Sequence, residues 1–138
     1  MPFKSYRELR AWQTGIRLVR ETYLATQGFP KVEQFGLTAQ IRRAAVSIPS
    51  NIAEGHARDS TLEFLHFLAI SQGSLAELET QLLIATELGF LPEQMLESLL
   101  AMANDVGKMI RGLQKTLRAR SGKRTSSPES RVSSLEPR

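Results

Sequence analysis

Between residues 95 and 117 the chain places Met95, Leu99, Met102, Val106, Met109, Leu113 and Leu117 at intervals of four and three. An α-helix brings such positions onto one side, whereas a strand turns every second residue to the opposite face. An apolar seam of this length is stable only when another apolar surface covers it, so this segment commits the chain to helix-on-helix packing. Leu96, Leu100, Ala103 and Ile110 widen the seam, and Pro92 stands where a helix start tolerates its missing N–H.

Three earlier segments repeat the pattern. The first opens on the capping-box sequence Ser5-Tyr6-Arg7-Glu8 and carries Leu9, Trp12, Ile16, Val19 and Tyr23 as its expected inner face, ending at Gly28-Phe29-Pro30. The second, from about 36 to 56, carries Leu37, Ile41, Ala44, Ala45, Ile48 and Ile52. Pro49 lies inside it and predicts a kink. The alternative is a break, with Asn51 capping a short helix through Glu54, but the stripe keeps its phase from Ile48 to Ile52. A second capping box, Ser60 to Glu63, opens the third segment, whose inner face is Phe64, Phe67, Leu68, Leu75, Leu78, Leu82 and Ala85. Ala69, Gly73, Ala76 and Thr80 form a separate line of small residues, expected to face a neighbour, and Gly89 ends the helix. No β pattern or internal repeat is visible. Short connections make successive helices antiparallel neighbours. The expected fold is therefore all-α, an antiparallel up-down-up-down four-helix bundle over residues 1–119. Residues 120–138 have too little apolar content to repay chain entropy and read as a disordered basic tail.

A chain of 138 residues suits one domain and needs no disulfide or metal staple. It has no cysteine, which excludes disulfides, thiol catalysis and cysteine-ligated zinc and suits a reducing, cytoplasmic location. No apolar run approaches the ~20 residues of a membrane span, so no membrane partner is expected. Charge is uneven: residues 1–107 hold nine Lys/Arg against twelve Asp/Glu, and residues 108–138 hold nine Lys/Arg against two.

The candidate sites are few. Glu63-Phe64-Leu65-His66 is a single Glu-x-x-His, and di-iron bundles need two, with carboxylates from two more helices. No metal, cofactor, small-molecule substrate or catalytic residue is expected, because no nucleophile has a histidine within reach. Arg43, Ser47, Asn51, Glu54 and Arg58 share a polar face of the second helix with Gln40; they read as a structural network or a subunit contact. Arg7, Arg10 and Arg17, with Arg111, Lys115, Arg118, Arg120, Lys123 and Arg124, are the candidates for a phosphate-binding surface on RNA or DNA, against ordinary solvation. No exposed aromatic residue for base stacking is expected. Val46, Ala53, Ala69, Gly73 and Ala76 are the candidate subunit interface, because together with the second line of helix four they exceed the apolar surface a lone bundle would bury. Physics alone favours a homo-oligomer.

The run Phe35-Gly36-Leu37-Thr38-Ala39-Gln40-Ile41-Arg42-Arg43-Ala44-Ala45-Val46-Ser47-Ile48-Pro49-Ser50-Asn51-Ile52-Ala53-Glu54-Gly55 closely resembles the signature of the 23S rRNA intervening-sequence protein family. Leu9-Arg10-Ala11-Trp12-Gln13 resembles that family's first-helix motif, and the stretch from Phe64 to Glu79 resembles its third. The resemblance covers about residues 3–117. It implies a bacterial four-helix bundle and a ring of five subunits, and it implies no established activity. A similar bundle serves diversity-generating retroelements as the accessory protein of a reverse transcriptase, which makes an accessory subunit of a nucleic-acid enzyme the alternative to a free-standing scaffold or adaptor.

Overall fold

The computed structural model describes residues 4–124, with side chains to residue 121. Four helices carry the fold: α1 (Arg10–Thr26), α2 (Leu37–Ala57), α3 (Thr61–Glu87) and α4 (Glu93–Arg124). Short 3-10 turns at Tyr6–Glu8 and Lys31–Glu33 precede the first two. No strand occurs among the described residues. Each helix packs on its neighbours in chain order and α4 closes the square against α1, while the backbones of the diagonal pairs α1–α3 and α2–α4 stay farther apart. This is the up-down-up-down bundle that the short connections predicted.

Local chemistry explains the boundaries. Ser60 caps α3 as expected, its Oγ accepting from the Glu63 N–H at 3.3 Å. Gly89, at φ +80°, ends the same helix, with the Phe90 N–H donating to the Ala85 carbonyl at 2.9 Å. The start of α1 differs from the sequence reading. Ser5 caps only the 3-10 turn, its Oγ accepting from the Arg7 N–H at 3.1 Å, and Leu9 is extended before α1 begins. The break lets Leu9 turn into the core while Tyr6 packs edge-on against Trp12, 5.3 Å between ring centres. At its other end α4 runs to Arg124, past the end expected near Arg120; the rest of the expected tail, 125–138, lies outside the described residues.

Pro49 does not break α2, which is continuous through it. Its ring lies against α1 at Gly15, where an added Cβ would stand 3.4 Å from Pro49 Cβ. The tightest helix approach is between α2 and α3. Gly55 is buried there, and a Cβ on it would meet Phe67 Cβ at 2.7 Å and Phe64 Cδ1 at 3.0 Å. Ser71 of α3 is fully buried and donates to the Ile48 carbonyl at 2.9 Å, a polar tie across the same contact.

Two of the expected inner faces are rotated. The buried side of α1 is Ala11, Thr14, Gly15, Leu18, Thr22 and Ala25, whereas Ile16 and Tyr23 are exposed and Trp12 and Val19 are half-buried. On α4 the line Leu96, Ala103 and Ile110 is core, so it is not surplus surface; Met95 is exposed instead. Small residues drive the rotation of α1: Ala11 and Gly15 admit closer neighbours than Trp12 and Ile16 could.

Candidate functional site

With the core assigned, two stretches of the left-over apolar surface join several residues each. The first is the outward face of α3. Leu62, Ala69, Ile70, Gly73, Ala76, Leu83 and Ile84 are all exposed there, and an added Cβ on Gly73 would meet nothing within 4 Å. The line Ala69, Gly73 and Ala76 therefore serves no contact inside the bundle. The second is a groove of about 250 Å³ between α1 and α2, lined by Trp12, Ile16, Val19, Val46, Pro49 and Ala53. The rotation of α1 creates it, because residues expected inside now form one wall. Val46 and Ala53, chosen from the sequence as contact residues, form the other wall. Trp12, Ile16 and Val19 were missed as surface, since periodicity marks an apolar face without saying what covers it.

The polar row of α2 divides into an inner and an outer part. Ser47 is half-buried, with its Oγ 2.7 Å from Ser74 Oγ on α3 and accepting from Asn51 Nδ2 at 2.8 Å. Asn51 Nδ2 also donates to the Ser47 carbonyl at 2.8 Å. These residues tie α2 to α3. Glu54 pairs with Arg58 at 3.1 Å, both exposed, and Arg58 also lies over the Phe67 ring at 5.1 Å. An exposed pair of this kind contributes little to stability. Arg43 is exposed. On α3, Glu63 and His66 are both exposed, and no group of three or more metal-ligating residues gathers among the described residues.

The basic candidates do not form one surface. Met109, Leu113 and Thr116 of α4 line one hollow with Leu9, Arg10 and Ala11, which fixes the flank of α4 that faces α1. Gln114 Nε2 donates to Gln72 Oε1 of α3 at 3.0 Å, which fixes the other flank. At about 100° per residue, Arg111 and Arg118 fall on the α3 side, whereas Lys115 and Arg120 line one hollow with Thr116 and Ala119. Arg10 and Arg17 share the flank of α1 nearer α4, and Arg7 sits on the preceding 3-10 turn, its guanidinium 5.9 Å from the Tyr6 ring centre. Lys123 and Arg124 continue α4, with side chains outside the described ones. The expectation of no exposed aromatic is overturned: Phe35 is 89% exposed and Tyr23 is 40% exposed. Phe35 lies in the long α1–α2 turn, where no periodic pattern reports burial.

The model of the family described as 23S rRNA-intervening sequence protein matches residues 7–112. Among solved structures, the chain is similar to a protein of unknown function from the S23 ribosomal protein family of Bacteroides thetaiotaomicron, with a TM-score of 0.62 and 22% identity over 76% of this chain and 94% of that one. At that identity the likeness supports the four-helix fold. No curated protein matches the chain.

Proposed function

The chain belongs to the 23S rRNA-intervening sequence protein family, and we propose from that premise that it works as a non-catalytic scaffold assembled from several copies of itself. One observation carries the reading. Helix α3 turns Leu62, Ile70, Leu83 and Ile84 away from the bundle, among Glu77, Thr80 and Glu87, and nothing in the bundle covers them. Apolar residues gathered on an uncovered face mark a surface that a partner buries. The α1–α2 groove offers a second apolar surface of different shape, and a contact between two unlike surfaces is head-to-tail, the type that closes into rings. Charge supports the pairing of these two surfaces: residues 1–58 hold nine Lys/Arg and four Asp/Glu, whereas residues 59–107 hold eight Asp/Glu and no Lys/Arg. The family resemblance supports five copies in the ring. The lack of cysteine supports a cytoplasmic setting, and no helix among the described residues is long and apolar enough to cross a membrane. The non-catalytic part of the reading is supported by the sequence, in which no nucleophile has a histidine at a helical spacing that would reach it, and by Ser47, whose hydroxyl is engaged with Ser74.

Light scattering on the purified chain tests the reading. The expected mass is close to five times 15.4 kDa; a mass near 15.4 kDa removes the scaffold reading, and a stable dimer removes the ring.

A second reading, a nucleic-acid role alone or as an accessory subunit of an enzyme such as a reverse transcriptase, is favoured by residues 108–124, which hold seven Lys/Arg and no Asp/Glu.

A further inference from the structure

The turn between α1 and α2 encloses a polar hollow of about 200 Å³ that neither apolar surface uses. Gln27 comes from the end of α1, Lys31 and Gln34 from the turn, and Thr38 and Arg42 from the first turns of α2. Its described lining holds two cations and no carboxylate. Thr38 is only 7% exposed, and its Oγ1 is buried without a hydrogen-bond partner. That oxygen has no contact with solvent, so Thr38 lines the hollow with its other atoms. Thr38 and Arg42 stand one helical turn apart and so share a face of α2.

Arg42 is already held in place. Its Nε donates to Thr26 Oγ1 at 2.9 Å, its Nη2 donates to the Tyr23 carbonyl at 3.4 Å, and its guanidinium lies over the Tyr23 ring, 4.4 Å from the centre. Those bonds use two of the roughly five N–H groups a guanidinium carries, so the remaining donors are uncommitted. The N-terminus of α2, the positive end of the helix dipole, stands beside them. Glu33 accepts from the Leu37 N–H at 3.1 Å and caps that helix from outside the hollow.

We propose that this hollow binds a phosphate group. The two charged groups that line the site are both cations, which favours an anion, and a fixed guanidinium fork beside an ammonium suits phosphate oxygens. Its volume is below the ~300 Å³ at which pockets begin to enclose drug-sized molecules, so it takes one phosphate group and leaves the rest of any ester outside. The group is inorganic phosphate or the terminal phosphate of a larger molecule. This departs from the expectation that the chain takes no small molecule, and it does not depend on how copies assemble.

Calorimetric titration with inorganic phosphate, against chloride at matched ionic strength, tests the site. Parallel titrations use short oligoribonucleotides bearing a 5′-phosphate or a 5′-hydroxyl. The wild type is expected to bind phosphate saturably, one per chain. Lys31→Ala, which leaves the Arg42 contacts in place, is expected to weaken binding about tenfold with an unchanged helical spectrum, and Thr38→Val, whose hydroxyl does not reach the hollow, is the control that should bind as the wild type does. Arg42→Gln should abolish it. Tighter binding of the 5′-phosphorylated oligonucleotide than of its 5′-hydroxyl form identifies a nucleic-acid end as the source, and equal binding of the two with phosphate still bound identifies the free anion. No saturable binding of phosphate or of the 5′-phosphorylated probe overturns the proposal. So does affinity unchanged in Lys31→Ala, or affinity lost instead in Lys115→Ala/Arg118→Ala, which would place the anion on α4.

Discussion

Replacing Gly55 by alanine tests the closest contact in the bundle. In an exposed helix the change stabilises by about 1 kcal/mol, because alanine has the better helix propensity. At Gly55 the new Cβ would stand 2.7 Å from Phe67 Cβ and 3.0 Å from Phe64 Cδ1. Phe67 Cβ is bonded to the backbone and cannot swing aside, and Phe64 is fully buried, so α3 must retreat from α2. Overpacking of this kind costs about 1–3 kcal/mol. The net effect runs from near neutral to about 2 kcal/mol destabilising. Gly112 of α4 is the control: nothing lies within 4 Å of its added Cβ, so Gly112→Ala should gain the full ~1 kcal/mol. The two variants should therefore differ by about 1–3 kcal/mol. With an unfolding entropy of about 2.1 cal/mol/K per residue over some 120 ordered residues, 1 kcal/mol corresponds to about 4 °C in Tm. Melting followed by circular dichroism, at matched protein concentration because assembly raises apparent stability, should separate the variants by about 4–12 °C, with Gly112→Ala above the wild type. If Gly55→Ala melts as high as Gly112→Ala, the close approach of α2 and α3 is wrong.

Gly73→Leu should lower the assembled mass in light scattering while moving Tm by only a few degrees, since a side chain there meets nothing within its own bundle; normal assembly with a much lower Tm would put Gly73 in the core. If nucleic acid binds the α4 strip, Arg111→Ala/Lys115→Ala/Arg118→Ala should reduce the slope of log affinity against log salt by about 2–3, read from filter binding at several salt concentrations, and an unchanged slope would leave the strip as ordinary solvated surface.

Much of this protein was legible in the residues themselves. Four apolar stripes at helical spacing, punctuated by Ser60, Gly89 and Pro92, determine four helices and, through short connections, their up-down order. The run from Phe35 to Gly55 points to the family, and the family model matches over residues 7–112. Ser60 capped α3 because a side-chain cap is a local bond that needs no tertiary context. Ser5 had the same pattern and did not open α1, because burying Leu9 and packing Tyr6 edge-on against Trp12 outweighed one turn of helix.

What only the tertiary structure decided is which way each helix faces and which residues distant in sequence meet. On α1 two faces compete, a large apolar one through Trp12, Ile16, Val19 and Tyr23 and a small one through Ala11, Gly15 and Leu18. Periodicity favours the first, but close packing against Pro49 selects the second, and the groove beside Val46 and Ala53 follows from that choice. The hollow around Arg42 was invisible for the same reason. Thr26, Lys31 and Arg42 belong to three different elements with no common spacing, and only the turn of the chain between α1 and α2 brings them to one place.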